Sequence, residues 1–131
     1  MILTWIIVLI LYGVGGASKA VMDTLQFKFD KSVFSDLGRW WDPKDSWLKK
    51  YKSDDPTAGR AFPGSMTWLV WTTDAWHFFQ MIQLSSYDVT VSLLAVGYFD
   101  LKWWAVFGVF AVLKLIRGFV FELCWNMLFR K

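Results

Sequence analysis

The residues Ile2–Ala17, "ILTWIIVLILYGVGGA", carry no charge at all. No other stretch restricts the fold so strongly. An unbroken apolar run has to be covered on every side, by protein or by lipid. At 131 residues one soluble domain would be the expectation from size. The patterning argues against it, because the apolar residues fall in long runs and most of the charge is gathered into one central block. With 56% hydrophobic residues and ten tryptophans, the chain reads as a small polytopic membrane protein with aromatic rings at the membrane–water interface.

An apolar run followed by small residues also describes a signal peptide. The basic n-region is missing, so the span from Ile2 to about Met22 is read as a retained transmembrane helix, continuing through "SKAVMDTLQFKF". Gly13/Ala17 and Gly16/Ala20 are small residues spaced by four, which let another helix approach closely. Lys19 and Asp23 are placed to pair at i, i+4.

Asp30 to Pro63 forms the polar block and holds all three prolines. From Lys28 to Arg60 there are eight Lys/Arg and six Asp. Trp40, Trp41, Trp47 and Tyr51 alternate with bases such as Lys49 and Lys50, as in a segment lying on anionic lipid head groups. Asp42 precedes Pro43 and is pushed out of helix, so "DPKDSW" predicts a turn feeding a short helix through Lys50. So many aromatics argue for an ordered surface segment rather than a floppy linker.

Beyond "FPGS", with Ser65 as N-cap, a second span is expected from Ser65 to about Leu84, followed by a turn at "SSYD". Two divisions of the remainder compete. One gives a short third helix, Val89 to Phe99, a turn at "DLK", and a fourth helix from Trp103 to about Phe129. The other runs a single span from Val89 to Leu113, leaving three spans. A single span would hold Asp100 and Lys102 near the bilayer centre at about 3 kcal/mol each, which favours four helices. The expected fold is thus an all-α membrane bundle forming one integral-membrane domain: a first helix over 1–27, an aromatic and basic surface segment over 28–63, and a helical hairpin with the final helix over 64–131. Positive charge places the central block in the cytoplasm of a bacterial inner membrane.

Within the spans, Asp74 and His77 share a helix face, as do Lys114 and Arg117. Unpaired charges at such depth are costly, so these four are expected to face one another, with Lys19, Asp23 and Glu122 extending the cluster. The cluster reads either as ion pairs that fix helix register or as a proton, ion or lipid-head-group site. His77 is the one histidine; one-sided haem or chlorophyll ligation there is a minor reading. No zinc pattern or nucleophile elbow occurs, and one cysteine, Cys124, excludes an intrachain disulfide. A formal charge of +3 without a basic run gives no nucleic-acid footprint.

"WWDPKDSWLKKYK", "SKAVMDTLQF" and "TDAWHFFQ" together resemble short bacterial or phage integral-membrane proteins carrying W-x-P-x-x-S-W and T-D-A-W-H motifs. The resemblance covers most of the chain and implies no known activity. From the residues alone, the leading expectation is a non-enzymatic subunit, self-associating or part of a larger membrane complex. The alternatives are an oligomeric ion or proton pore or transporter using Asp74, His77, Lys114 and Arg117, and a lipid-modifying enzyme. In the enzyme reading Arg60, Lys114 or Arg117 holds phosphate while Asp74 and His77 act as the acid–base pair.

Overall fold

The computed structural model describes residues 2–124. Among them it is all-helical, with three α-helices: α1 (Ile2–Phe27), α2 (Ala75–Tyr98) and α3 (Ala105–Leu123). Residues 28–74 form turns and short 3-10 helices, and the one extended pairing is an isolated bridge between Tyr51 and Arg60. Two compact units divide the chain, one made of the described residues through Tyr12 with those from Ser86 onward, the other of Gly13–Ser85.

The first helix matches its expectation and includes the continuation past Met22. Its buried positions, Val8, Gly15, Ser18, Met22 and Leu25, recur at intervals of three, four or seven and so form one stripe. Gly13, Gly16, Ala17 and Ala20, expected to admit a neighbouring helix, are exposed; it is Gly15 and Ser18 that turn inward. Lys19 and Asp23 pair as expected on the exposed side. Among the described residues α1 is the helix long and apolar enough to cross a membrane.

The expected four-helix division is corrected in two places. The second helix begins at Ala75 and not at Ser65. Ser65 is buried and donates its hydroxyl to the Lys50 carbonyl at 2.7 Å, which ties two loops together and caps no helix. The stretch after it is rich in β-branched residues (Thr67, Val70, Thr72, Thr73), which disfavour the helix. It runs as turns and a 3-10 helix at Val70–Thr72 until Asp74 supplies a cap.

The second correction falls on "SSYD", Ser85 to Asp88, which lies inside α2 and is no turn. Such residues break helices when their side chains compete for the local backbone. Here Ser86 and Asp88 instead receive hydroxyls from the following turn, Thr90 donating to the Ser86 carbonyl (2.8 Å) and Ser92 to that of Asp88 (2.7 Å). One helix of 24 residues therefore replaces the expected pair.

It ends where "DLK" was expected to turn. Asp100 takes a left-handed conformation (φ 51°), and the Leu101 N–H reaches back to the Val96 carbonyl at 3.0 Å, the 6→1 bond of a Schellman motif. Trp103 and Trp104 then lead into α3. The expected extension of this helix to Phe129, with Arg130 and Lys131, lies outside the described residues.

The central segment is ordered, as its aromatics implied. Asp42 accepts the Lys44 N–H (2.9 Å) in the turn at Pro43, which feeds the 3-10 helix Ser46–Lys50. A second such turn forms at Pro56, where Asp55 accepts both the N–H and the hydroxyl of Thr57. Gly64 has φ +89° and stands so close to the Trp68 indole that a Cβ there would lie 2.9 Å from it, so glycine is required on both counts.

Candidate functional site

Two buried carboxylates, one at the start of α2 and one within it, lie one in each unit. In the unit Gly13–Ser85, Asp74 sits immediately before the helix. Its Oδ1 accepts the His77 N–H at 2.9 Å, and its Oδ2 accepts the Thr73 hydroxyl at 3.0 Å and lies 2.7 Å from His77 Nδ1. Its carbonyl accepts the Phe78 N–H (3.1 Å). Asp74 is thus the N-cap, and His77, the third helical residue, meets the capping carboxylate with both its backbone N–H and its ring.

Another of the helix's opening donors, the Ala75 N–H, goes to the Trp40 carbonyl at 3.0 Å. The Trp40 ring packs against Phe78, and Trp41 against Phe79 and Phe34. Burial pushes the Asp74 carboxyl up, but the His77 ring, the His77 N–H and the Thr73 hydroxyl together outweigh it and hold it below the ordinary aspartate value.

In the other unit, Asp88 meets both cations of α3. Arg117 grips it with two nitrogens, Nη1 to Oδ2 at 3.0 Å and Nη2 to Oδ1, and Lys114 Nζ lies 3.2 Å from Oδ2. The Asp88 side chain is 3% exposed, those of Lys114 and Arg117 36% and 38%. Ser86, Thr90 and Ser92 of the same helix are buried too. The Lys114 ammonium also stands 5.2 Å from the Phe110 ring centre.

The residues selected from sequence are therefore distributed as follows. Asp74 and His77 bond to each other as a cap, and Lys114 and Arg117 share a carboxylate that the sequence reading left out. Lys19 and Asp23 form an exposed pair, and Glu122 is exposed on α3. Trp40 and Trp41 are half-buried brackets for the start of α2. Trp47, Tyr51 and Lys50 form a separate cluster, with the Lys50 ammonium 5.7 Å and 5.3 Å from the two ring centres, and Lys49 is half-buried beside them.

One signal would have found Asp88. Counted from the helix ends that flank the turn, Tyr98 and Ala105, Asp88 lies about 15 Å along α2, and Lys114 and Arg117 about 14 Å and 18 Å along α3, at ~1.5 Å per residue.

Among the described residues no three of His, Cys, Asp and Glu converge as a metal site. No family model, curated protein or solved structure matches the chain.

Proposed function

We propose that this is a small polytopic integral membrane protein, a non-enzymatic subunit that assembles with itself or within a larger membrane complex. The pattern of burial carries the reading. The buried set holds more polar side chains than apolar ones: Ser18, Ser46, Ser65, Thr73, Asp74, Ser86, Asp88, Thr90 and Ser92 against Val8, Met22, Leu25, Ala75 and Val96. Meanwhile Ile2, Leu3, Leu9 and Ile10 of α1, and Phe107, Leu115, Ile116 and Phe119 of α3, are more than half exposed.

A monomer in water does not leave that much contiguous apolar surface bare. A protein dissolved in lipid does, and it turns its ionisable residues inward. α3 shows this in one helix, with Lys114 and Arg117 on the side that meets Asp88 and aliphatic and aromatic residues on the other. Three bilayer helices would also put the eight Lys/Arg of Lys28 to Arg60 on one side and leave Lys102 on the other, in keeping with a cytoplasmic central block.

Alkaline carbonate extraction of membranes expressing the chain, followed by crosslinking in native membranes, tests this. The protein is expected in the pellet and in a crosslinked species of fixed stoichiometry. Release to the supernatant ends the membrane reading, and a monomer at every crosslinker dose ends the assembly reading.

Ion coupling is a second reading, favoured by the Asp88–Lys114–Arg117 arrangement. One chain of this size encloses no path, so coupling requires an oligomer. It predicts that Asp88→Asn abolishes flux in proteoliposomes while the crosslinked assembly persists.

A further inference from the structure

Where α1 ends, the chain folds into a cavity of about 1000 Å³ whose walls include Lys28, Lys31, Lys44, Asp30, Ser32 and Phe27. Three lysines face one aspartate there. The one ion pair among them, Lys44 Nζ to Asp30 Oδ1 at 3.3 Å, is largely exposed at both ends, so it contributes little and exchanges readily.

The cavity's backbone is held. Lys44 is fixed through its N–H to Asp42. Ser32 accepts the Phe34 N–H (3.3 Å) and donates to the Phe29 carbonyl (2.8 Å). The rim is apolar and open, for Phe27 and Val33 are both more than 70% exposed. Lysines and bare apolar side chains side by side, at the end of the helix fit to cross a bilayer, match the two halves of one molecule: a phosphodiester and its acyl chain.

We propose that this cavity binds the head group of an anionic phospholipid, with Lys28, Lys31 and Lys44 around the phosphate and Phe27 and Val33 along the first carbons of the chain. The proposal rests on the membrane reading above and supplies it with a ligand class. A juxtamembrane lysine shifts affinity for acidic lipid by about fivefold, so three acting together produce a preference that survives solubilisation.

The test uses the full-length protein reconstituted in nanodiscs of equal phosphatidylglycerol and phosphatidylcholine, transferred to mild detergent, with retained lipid counted by mass spectrometry. Wild type is expected to keep phosphatidylglycerol at least fivefold over phosphatidylcholine. Lys28→Gln/Lys31→Gln/Lys44→Gln is expected to bring the ratio near one. Lys102→Gln, which removes a lysine outside the aromatic and basic segment, is expected to leave it within twofold of wild type.

Equal retention of the two lipids by wild type overturns the proposal, and so does a loss in Lys102→Gln equal to that of the triple variant. Either result leaves the membrane reading standing if carbonate extraction keeps the protein in the pellet. Release by carbonate removes both. The three lysines are exposed, so their replacement by glutamine is expected to leave helix content by circular dichroism unchanged.

Discussion

Asp74 and Asp88 belong to the same stretch of chain and both are buried, yet each directs its charge differently. Asp74 spends it on the N-terminus of its own helix, where backbone donors converge and the helix dipole favours an anion. Asp88, in mid-helix, has no backbone donors available to it, and its charge is answered by side chains of α3. A carboxylate's job here follows from where the helix begins. Had α2 begun at Ser65, Asp74 would have been the interior charge in need of a cation.

Removing each acid separates the two roles. Asp88→Ala leaves Lys114 and Arg117 without the carboxylate between them. Breaking a buried pair costs 3–5 kcal/mol, and about 3 is expected here, since both cations keep over a third of their side-chain surface exposed. Reversible unfolding in mixed micelles measures it. Replacing all three residues by leucine is expected to recover most of the loss; a triple variant as unstable as Asp88→Ala would show that the stranded cations are not what destabilises it.

Asp74→Ala removes a cap and is expected to cost about 1 kcal/mol, with fraying confined to the first turn of α2 by hydrogen exchange. The sign of its pH dependence is set by the lowered carboxyl. The folded chain holds Asp74 below its ordinary value of 3.8, so its contribution is complete above about pH 4 and is lost as the pH falls through the folded value. Protection of the His77 and Phe78 amides is expected to fall with acid in wild type and to lose that part of its pH dependence in Asp74→Asn. Amides that respond equally in both chains would assign the acid sensitivity elsewhere.

The smallest effect tests the far end of the helix. Asp100 occupies a left-handed conformation that glycine adopts freely, and Asp100→Gly is expected to stabilise by up to about 1 kcal/mol. A loss instead would mean that its carboxylate holds the turn.

Much of this was legible before any coordinates. An uncharged run leaves α1 no other conformation, and Pro43 after Asp42 and the "DLK" turn acted locally as their chemistry requires. The reading failed at Ser85 to Asp88, where four turn-forming residues in a row are helical. Their preference for turns is a local one, and it is overridden once Thr90 and Ser92 bond back to the Ser86 and Asp88 carbonyls and a guanidinium on another helix takes the carboxylate. That second condition is non-local, so no window around "SSYD" contains it. The same misplaced break hid Asp88, because its depth matches that of Lys114 only when α2 is continuous to Tyr98.

The clasp at Asp88 also bears on how such a chain is made. Fed singly into a translocon, α2 would bring Asp88 without the cations it meets and α3 two bases without that acid, and each is a poor passenger by the insertion cost of its charges. On the membrane reading proposed above, the short link at Asp100 would deliver them as a hairpin with the acid and its two bases already paired. Partitioning of the two segments would then be a single concerted step that waits until α3 has left the ribosome.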